Sequence, residues 1–335
     1  MARNFKKNRP LALVNHALAA IVLVASGAAC AQTGAAAYPT KPVKLVVGFA
    51  AGGPTDVVAR AFADHASKAL GQPFIIDNKP GAGTIIAAQA VASAPADGYT
   101  LLFGATNHTM IPALYQGRVK FDAVKSFRPL CTVASSPTVL VVAPSLPVKT
   151  LADYQAKARA EPGRVTAGTA GMGSSGHFAT EIFARAQGLQ LNHVPYKGAA
   201  PVVTDLMGGQ LDSSFATLGS VLPQIKSGKL RALAVGAPQR SALAPEVPTF
   251  AEAGGGNYAA DVWYGVLAPA GVPEPIVQAL ERTAADFAKS ESAAEKLRGL
   301  GMDAESVCGN TFATRVAREA ATYSQIAKAL DLKAD

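Results

Sequence analysis

Charged and aromatic residues are scarce in this sequence, and their scarcity argues against some classes of function. Charged side chains make up 16% of the 335 residues and aromatic side chains 7%, with a single Trp. So few aromatic residues argue against a stacking platform for single-stranded nucleic acid. The sequence also lacks a long basic run, which an extended phosphate-binding surface would need. We therefore expect no nucleic-acid partner.

Acidic residues are absent from the first 31 positions, which have the layout of a secretory signal peptide. A basic stretch at residues 3–9 precedes an apolar run at 11–24, and small residues follow from Ala25. The apolar run is shorter than the roughly 20 residues that a membrane-spanning helix needs. No later segment has about 18 consecutive apolar residues, so we expect a soluble mature protein.

The end of this segment offers two processing sites. Ala29 and Ala31 supply the small residues needed for cleavage before Gln32, which would remove residues 1–31. Alternatively, Cys30 could become the lipidated first residue of a lipoprotein, although Gly27 stands where such signals usually have Leu, Val or Ile. We favour ordinary cleavage, with residues 1–31 as the signal peptide and the periplasm as the location of the mature protein.

Removal of residues 1–31 changes both the charge and the cysteine count. That segment carries four of the 31 basic residues and none of the 23 acidic ones, so the formal net charge falls from +8 to +4. This mild positive charge suits a small anionic ligand at least as well as a polymer. Cys131 and Cys308 remain, and an oxidising compartment would permit a disulfide between them. We favour two separate buried thiols, since a free Cys behaves as a small apolar residue.

Short apolar strands alternate with amphipathic helices along the chain. Residues 43–49 (VKLVVGF) form a continuous apolar run, as expected of a strand buried on both faces, and a Gly-rich turn leads into a helix at about 56–70. Further strands at 73–78 and 99–104 repeat this order, which is the βαβ pattern of a parallel sheet. We therefore predict an α/β fold in which mainly parallel sheets are flanked by helices.

The length of the mature chain predicts two lobes. Roughly 300 residues exceed the usual size of a single hydrophobic core. Two segments, residues 127–144 and 258–273, have the features of connections that cross from one lobe to the other. On this interpretation, residues 36–137 plus 259–335 form lobe one and residues 138–258 form lobe two. A cleft between two such lobes is a common place for a ligand.

Glycine-rich loops follow several predicted strands. In residues 49–56 (FAAGGPTD), Gly52 and Gly53 let the backbone approach a ligand closely, and Thr55 or Asp56 could cap the next helix. The free N–H groups of that helix's first turn would form an anion site made of main chain. An ordinary tight turn explains one such loop equally well. Similar loops at 81–84, 171–177 and 196–198 favour a binding site, because open α/β sheets bind ligands at this edge.

The sequence lacks the motifs of common enzymes and metal sites. Ile86 stands where a dinucleotide fingerprint has its third glycine, and no G-x-x-x-x-G-K-[S/T] occurs. Neither Ser174 nor Ser175 fits the G-x-S-x-G pattern of a nucleophile elbow. The histidines lack metal-ligand spacing, so we expect no metal ion and no cofactor. His177 could donate to a ligand or could instead stiffen its own loop.

Nine short motifs occur in order along the chain. They are YPTKP at 38–42, GGPTD at 52–56, NKPGAG at 78–83, ADGYT at 96–100, VPYKG at 194–198, GGQ at 208–210, GKLRALAV at 228–235, VPT at 247–249 and LAPAG at 267–271. Together they resemble the Bug-type receptors of tripartite tricarboxylate transporters. The resemblance extends over nearly the whole mature chain.

This resemblance implies a two-lobed periplasmic-binding-protein fold of the Venus-flytrap kind, type II. It also implies a receptor that closes on a small organic carboxylate, catalyses nothing, and delivers the ligand to the permease subunits of such a transporter. We expect a monomer. Two alternatives remain: a ligand-binding sensor in envelope signalling, and an envelope serine hydrolase that uses Ser174 or Ser175 with His177.

The resemblance further implies that the ligand lies among the strand-end loops. The residues expected to line the site are Phe49, Gly52, Gly53, Thr55, Asp56, Gly81, Ala82, Gly83, Thr84, Thr106, Asn107, Gly173, Ser174, Ser175, His177, Tyr196, Lys197, Gly198 and Thr217. Thr84 departs from the family, which usually has glycine there, and adds bulk and a hydroxyl. The family often has an Asp near Thr217; without it, we expect a plain carboxylate rather than an amino acid.

Overall fold

The computed structural model of the chain describes residues 1–2, 38–115, 117–256, 260–329 and 332. The chain divides into residues 1–38 and a compact body of residues 39–335. The expected signal peptide, except for its first two residues, lies outside the described residues, and so does Cys30. None of the helices in the described ranges is both long and apolar enough to cross a membrane.

The described part of the compact body contains ten strands and ten helices. The strands are β1 (Val43–Val47), β2 (Phe74–Asn78), β3 (Thr100–Ala105), β4 (Phe127–Val142), β5 (Thr166–Thr169), β6 (Asn192–Pro195), β7 (Ser213–Thr217), β8 (Arg231–Gly236), β9 (Asp261–Pro269) and β10 (Asp303–Ala304). The helices are α1 (Pro54–Leu70), α2 (Ile85–Ala92), α3 (Asn107–Leu114), α4 (Leu151–Ala160), α5 (Ser175–Ala186), α6 (Ala199–Met207), α7 (Leu218–Lys226), α8 (Glu274–Lys289), α9 (Glu291–Gly299) and α10 (Gly309–Ala329).

The first sheet has the parallel order β2-β1-β3, extended by β9 and by residues 127–137 of β4 in antiparallel pairing. Four of the five residues of β1 are buried, because helices cover both faces of this part of the sheet. On one face, Phe62 of α1 packs against Phe103 of β3 and Phe287 of α8, with ring centroids 6.2 and 5.8 Å apart. The continuous apolar run of the sequence thus becomes a strand buried on both faces.

The second sheet has the parallel order β6-β5-β7. Residues 138–142 of β4 pair antiparallel with β7 and with β8. Because side chains alternate along a strand, Val139 and Val141 join the core on one face, and Leu140 and Val142 join the core on the other. The chain is therefore an α/β protein with two sheets joined through the long strand β4. Both sheets are mixed and not mainly parallel as predicted, because β4 and β9 add antiparallel pairs to the parallel strands.

Elements from the two sheets also contact each other at two places. Ser136 of β4 donates its hydroxyl to the Gly301 carbonyl oxygen and accepts the N–H of Gly219 in α7. A second contact is an apolar cluster formed by Met110 and Leu114 of α3, Phe178 and Ile182 of α5, and Tyr323 and Ile326 of α10. The helices of the two sheets therefore pack closely in this arrangement.

The structure corrects the interpretation of the two cysteines. Cys131 of β4 and Cys308, next to the start of α10, form a disulfide across 177 residues of sequence. Our preference for two separate thiols was wrong because the folded chain pairs their backbones as an isolated antiparallel bridge. Sequence spacing carries no information about such a distance.

Candidate ligand-binding site

Three loops from the first sheet meet at one edge. Val47 of β1 pairs with Asn78 of β2 and with Phe103 of β3, so the carboxyl ends of these parallel strands are adjacent. The loops that follow contain the predicted site residues Phe49 to Asp56, Gly81 to Thr84, and Thr106 with Asn107. Open α/β sheets bind ligands at such an edge.

In the first loop, the structure corrects the predicted helix cap. Neither Thr55 nor Asp56 caps α1; the N-cap is Gly53, with no side-chain cap, and Pro54 occupies the first helical position. Gly52 is left-handed at φ +85°, whereas Gly53 has an ordinary extended backbone at φ −78°. Proline suits the first helical position because its missing N–H would have no partner there.

Asp56 stiffens the first loop instead of facing a ligand. Its carboxylate accepts the N–H of Gly52 at 2.9 Å, two hydrogen bonds from Arg60, and one from the side-chain amide of Asn78. Burial raises the pKa of Asp56, but these hydrogen bonds outweigh it and hold the pKa below its ordinary value. Asn78 also donates to the carbonyl of the half-buried Phe49, at 3.0 Å. The negative charge of the Asp56 carboxylate is thus balanced by Arg60, and these hydrogen bonds fix the conformation of the loop.

The second loop has an unusual backbone. Gly81, Ala82, Gly83 and Thr84 all have positive φ values, +129°, +45°, +62° and +85°. Ala82 and Thr84 are the only non-glycine residues with positive φ among the described residues. Such a conformation is a genuine outlier for a β-branched residue like Thr84. Strained backbone of this kind clusters at functional sites.

The two predicted residues of the third loop, Thr106 and Asn107, have different hydrogen-bond partners and therefore different roles. The hydroxyl of Thr106 accepts the N–H of Trp263 at 2.9 Å, so it ties the end of β3 to β9. Asn107 is buried and donates its side-chain Nδ2 to Thr84 Oγ1 at 2.8 Å. Thr106 therefore supports the sheet, whereas Asn107 joins the second loop.

Three loops from the second sheet enclose a cavity of about 50 Å³. The first turns of α5, α6 and α7 border it, and its lining includes five hydroxyl residues, Ser174, Ser175, Ser214, Thr217 and Ser220. None of the described residues that line it is charged. Since a water occupies about 30 Å³, the cavity has room for one carboxylate group or one to two waters. Ser214, Thr217 and Ser220 already donate their hydroxyl hydrogens within the protein. The hydroxyls of Ser174 and Ser175, together with the first-turn N–H groups, therefore remain to suit an anionic oxygen.

Sequence reasoning missed Ser214 and Ser220 of this lining. Ser214 lies within β7 and donates its hydroxyl to the Gly168 carbonyl at 2.7 Å. Ser220 lies three residues after Thr217. Its hydroxyl donates to the Thr217 carbonyl oxygen and accepts a hydrogen bond from the Thr217 hydroxyl. A Thr-x-x-Ser spacing directly after a strand was the available signal for Ser220.

His177 stiffens its loop. The ring nitrogen Nδ1 of His177 accepts the backbone N–H of Gly173 at 3.3 Å, and the backbone N–H of His177 donates to Ser174 Oγ. Burial, with a smaller effect from His193, lowers the pKa of His177 to about 4, so the ring is neutral near pH 7. Because Nδ1 already holds Gly173, it does not serve as a base for Ser174 or Ser175. Among the described residues, no hydrogen bond joins the ring of His177 to the hydroxyl of Ser174 or Ser175, as a nucleophile and its base would require.

The fold brings together three potential metal ligands that sequence spacing keeps apart. Ligand atoms of His177, Glu181 and His193 lie within 4.8 Å of one another. The two rings are stacked, however, with centroids 4.5 Å apart and planes at 20°. One nitrogen of each ring is also already hydrogen-bonded: His177 Nδ1 to the N–H of Gly173, and His193 Nε2 to Thr169 Oγ1 at 2.7 Å. The arrangement fits two neutral imidazoles better than a metal centre.

The last predicted loop, residues 196–198, offers its backbone to the candidate site more than its side chains. The Tyr196 hydroxyl donates to Asp205 at 2.6 Å, and this hydrogen bond raises the pKa of Tyr196 to about 12. The Lys197 side chain is exposed. Gly198, at φ +115°, is the N-cap of α6, which borders the cavity. The side chains of Tyr196 and Lys197 are thus engaged elsewhere or in solvent.

Loops from the two sheets face each other across a narrow gap. A Cβ added to Gly83 of the first group would lie 3.3 Å from the carbonyl oxygen of Met172 in the second. Likewise, a Cβ added to Gly173 would lie 3.4 Å from Ile111 and from Leu114 of α3. The predicted residues of the two groups therefore approach one another in a closed arrangement.

Known proteins share both the sequence and the fold. Residues 58–332 match the tripartite tricarboxylate transporter family receptor. Protein BugT of Bordetella pertussis is 35% identical over 281 residues, which are 84% of this chain and 86% of that protein. The solved structure of R. palustris Rpa4515 with adipate has a TM-score of 0.83 and 36% identity, covering 88% of this chain and 99% of that one.

MatC from Rhodopseudomonas palustris with bound malate is also similar, with a TM-score of 0.79 and 29% identity over 86% of this chain and 99% of that one. These structures confirm the predicted two-lobed α/β fold of periplasmic binding proteins. The family is one of binding proteins. This chain belongs to the receptor family of the tripartite tricarboxylate transporters.

Proposed function

We propose that this protein binds a small organic carboxylate between its two lobes and delivers it to the permease subunits of a tripartite tricarboxylate transporter. The observation that supports this most strongly is the closed arrangement of strand-end loops from both sheets. On the second sheet, these loops border a cavity of about 50 Å³ whose lining includes five hydroxyl residues. Rpa4515 has adipate and MatC has malate, so related receptors take carboxylates of different length and substitution.

The chemistry of the loops suits an anion held by neutral donors. The first-turn N–H groups of Thr55 and Asp56 have no acceptor within α1. On the other side, the cavity offers hydroxyls and the first turns of three helices. Helix N-termini carry partial positive charge, which stabilises a carboxylate without an ion pair. The proposed site residues are those predicted from the sequence, with Thr106 and Asp56 in supporting positions.

We propose residues 36–137 plus 259–335 as lobe one and residues 138–258 as lobe two. The pairing of β4 supports this boundary, because residues up to Pro137 pair with β9 and residues from Thr138 pair with β7 and β8. Ligand that touches both lobes would favour the closed state over the open one. Closure would then occur by a hinge at the crossing strands, β4 and β9, which lie in the two predicted connections between the lobes.

The proposal includes export and assembly. Residues 1–31 act as a signal peptide that is cleaved before Gln32, and the mature protein works in the periplasm as a monomer. We expect it to catalyse no reaction: Nδ1 of His177 accepts the N–H of Gly173 and is therefore not available as a base for Ser174 or Ser175. N-terminal sequencing of the secreted protein would check the cleavage position, and a lipidated Cys30 would contradict it.

A thermal-unfolding scan of the mature protein against small carboxylates tests the proposed function. The protein is first unfolded and refolded to remove co-purified ligand. A ligand at about one hundred times its dissociation constant adds roughly 2.7 kcal/mol to the free energy of unfolding. We expect a clear rise in the unfolding temperature with di- or tricarboxylates, but not with sugars of similar size. No rise with any carboxylate would contradict the proposal.

A further inference from the structure

The side-chain amide of Asn107 has a partner on one side and none on the other. Nδ2 donates to Thr84 Oγ1 at 2.8 Å and lies 3.5 Å from the Gly83 carbonyl oxygen. Oδ1 is buried and accepts no hydrogen bond from any residue in the described part of the chain. Only 5% of the residue is exposed. A buried acceptor without a partner is costly, so this oxygen calls for a donor.

The neighbouring groups fix which end of the amide lacks a partner. If the amide were reversed, Oδ1 would face the carbonyl oxygen of Gly83, and two acceptors would oppose each other. Thr84 Oγ1 accepts the bond from Asn107 and keeps its own hydroxyl hydrogen for a further acceptor. Asn107 and Thr84 therefore present one acceptor and one donor side by side.

The position of this pair connects it with the proposed site. Thr84 has φ +85°, and a β-branched residue adopts that value only where its surroundings require it. The strained loop and Asn107 both follow strands of the first sheet at its carboxyl edge. Gly83, between them, approaches Met172 from the other side of the gap. Asn107, whose Nδ2 lies 3.5 Å from the Gly83 carbonyl oxygen, is thus adjacent to a residue that borders the gap between the lobes.

A carboxylate alone cannot satisfy this oxygen, because an ionised carboxylate only accepts hydrogen bonds. An ammonium group would donate, but it would need a negative charge nearby. The carboxylate of Asp56 is already bonded to Gly52, Arg60 and Asn78. A hydroxyl group both donates and accepts without a charge, which matches the pair.

Resting on the proposed function, we infer that the ligand is a hydroxy carboxylate whose hydroxyl donates to Asn107 Oδ1 and accepts from Thr84. The hydroxyl reaches this oxygen while the lobes are open, and closure then seals the pair from water. Asn107 is thus a specificity-determining residue of the site. Thr84 is its partner in place of the glycine usual in the family.

Matched ligands test the inference by isothermal titration calorimetry on the refolded protein. Succinate, malate and aspartate carry hydrogen, hydroxyl and ammonium at the same carbon, and adipate, 2-hydroxyadipate and 2-aminoadipate repeat the series at greater length. In at least one series, the hydroxy acid should bind about tenfold more tightly than both analogues, because only it pairs the buried acceptor.

The Asn107→Ala variant should bind the hydroxy acid and its unsubstituted analogue with equal affinity. Asn192→Ala is the matched control, since Asn192 is exposed at the start of β6 and should keep the preference. Equal affinities in the unmodified protein, or a preference that survives Asn107→Ala, would overturn the inference and leave the proposed function intact. Failure of all six acids to bind would overturn the inference, and the thermal-unfolding scan against the wider set of carboxylates would then decide the proposed function separately. If Asn107→Ala does not fold, the comparison in the unmodified protein decides alone.

Discussion

At the scale of single residues, the strained loop is held by one glycine. A Cβ added to Gly48, directly after β1, would lie 2.5 Å from Thr84 Cβ and 2.7 Å from its Cγ2. Thr84 therefore rests on the bare backbone of Gly48. This contact explains why a bulky residue persists at φ +85°: its side chain fills a space that only a glycine at position 48 leaves open.

Gly48→Ala is expected to lower the free energy of unfolding by about 1–3 kcal/mol, because overpacking forces the loop to move. Adding Thr84→Gly in the same chain should restore most of the loss, since the clashing atoms are removed. Urea unfolding of the single and double variants measures both effects. Gly299→Ala is the control: it ends α9, and a Cβ added there would have no atom within 4 Å, so it should not lower the free energy of unfolding. No rescue by the second substitution would contradict the contact.

His177 is a second residue whose surroundings set its chemistry. Its Nδ1 accepts the N–H of Gly173, so the ring must stay unprotonated at that nitrogen for the loop to be held. Burial and the stacked His193 lower its pKa to about 4. In the unfolded chain, the same ring takes up a proton below about pH 6.5.

We expect the free energy of unfolding to fall as the pH drops from about 6.5 to about 4, because the unfolded state then binds the proton that folded His177 excludes. The contribution of His177 is up to roughly 3 kcal/mol. His108 acts in the same direction, and Glu181, whose pKa burial raises, acts in the opposite one. Urea unfolding at several pH values should show a shallower fall for His177→Asn, which keeps an acceptor for Gly173. An unchanged slope would contradict the assignment.

At the scale of elements, the disulfide fixes the C-terminal helix to the crossing strand. Cys131 belongs to β4, and Cys308 immediately precedes α10. Phe312 of α10 packs edge-on against Trp263 of β9, with ring centroids 5.0 Å apart. The covalent bond and this packing hold α10 against β4, through which the sheets are joined, and against the neighbouring strand β9.

Removing the disulfide is expected to lower the free energy of unfolding by about 2–5 kcal/mol, since the bond restricts a long loop in the unfolded chain. Urea unfolding of the double variant Cys131→Ala/Cys308→Ala measures the loss. Thiol counting on the denatured secreted protein is the accompanying check and should find no free thiol from this pair. Two free thiols in the native secreted protein would show that the bond does not form.

At the scale of the whole molecule, apolar packing holds the two sheets' helices together away from the crossing strands. Phe178 of α5 and Tyr323 of α10 have ring centroids 5.3 Å apart, and Met110 and Leu114 of α3 complete the cluster. Such a contact favours the closed arrangement even before a ligand adds its own. The balance between open and closed states then sets the apparent affinity.

Tyr323→Ala should shift the ligand-free protein toward the open state, because it removes an aromatic side chain from the contact between lobes. Small-angle X-ray scattering should show a larger radius of gyration for this variant, which returns to the unmodified value when a carboxylate is bound. Tyr323→Phe keeps the ring and serves as the control. An unchanged radius in the variant would mean that this cluster does not hold the lobes closed.

Local patterns in the sequence were sufficient for many of the elements, but not for the antiparallel pairing of β4 and β9. The apolar run at 43–49, the glycine turn after it and the helix that follows are properties of consecutive residues, so β1 and α1 were predictable within a few positions. The same holds for the extended segment at 127–144, which became β4. The strand-end loops followed, because parallel strands place their carboxyl ends together.

The tertiary structure alone decided the pairings between distant residues. Cys131 meets Cys308 across 177 residues, Thr84 rests on Gly48, and Asn107 bonds to Thr84 while its oxygen stays unpaired. No periodicity records these contacts, because each depends on how whole elements pack and not on the neighbours of a residue in the chain. The sequence by itself therefore determined most of the elements and the edge at which we propose that a ligand binds, whereas packing decided which side chains remain for that ligand.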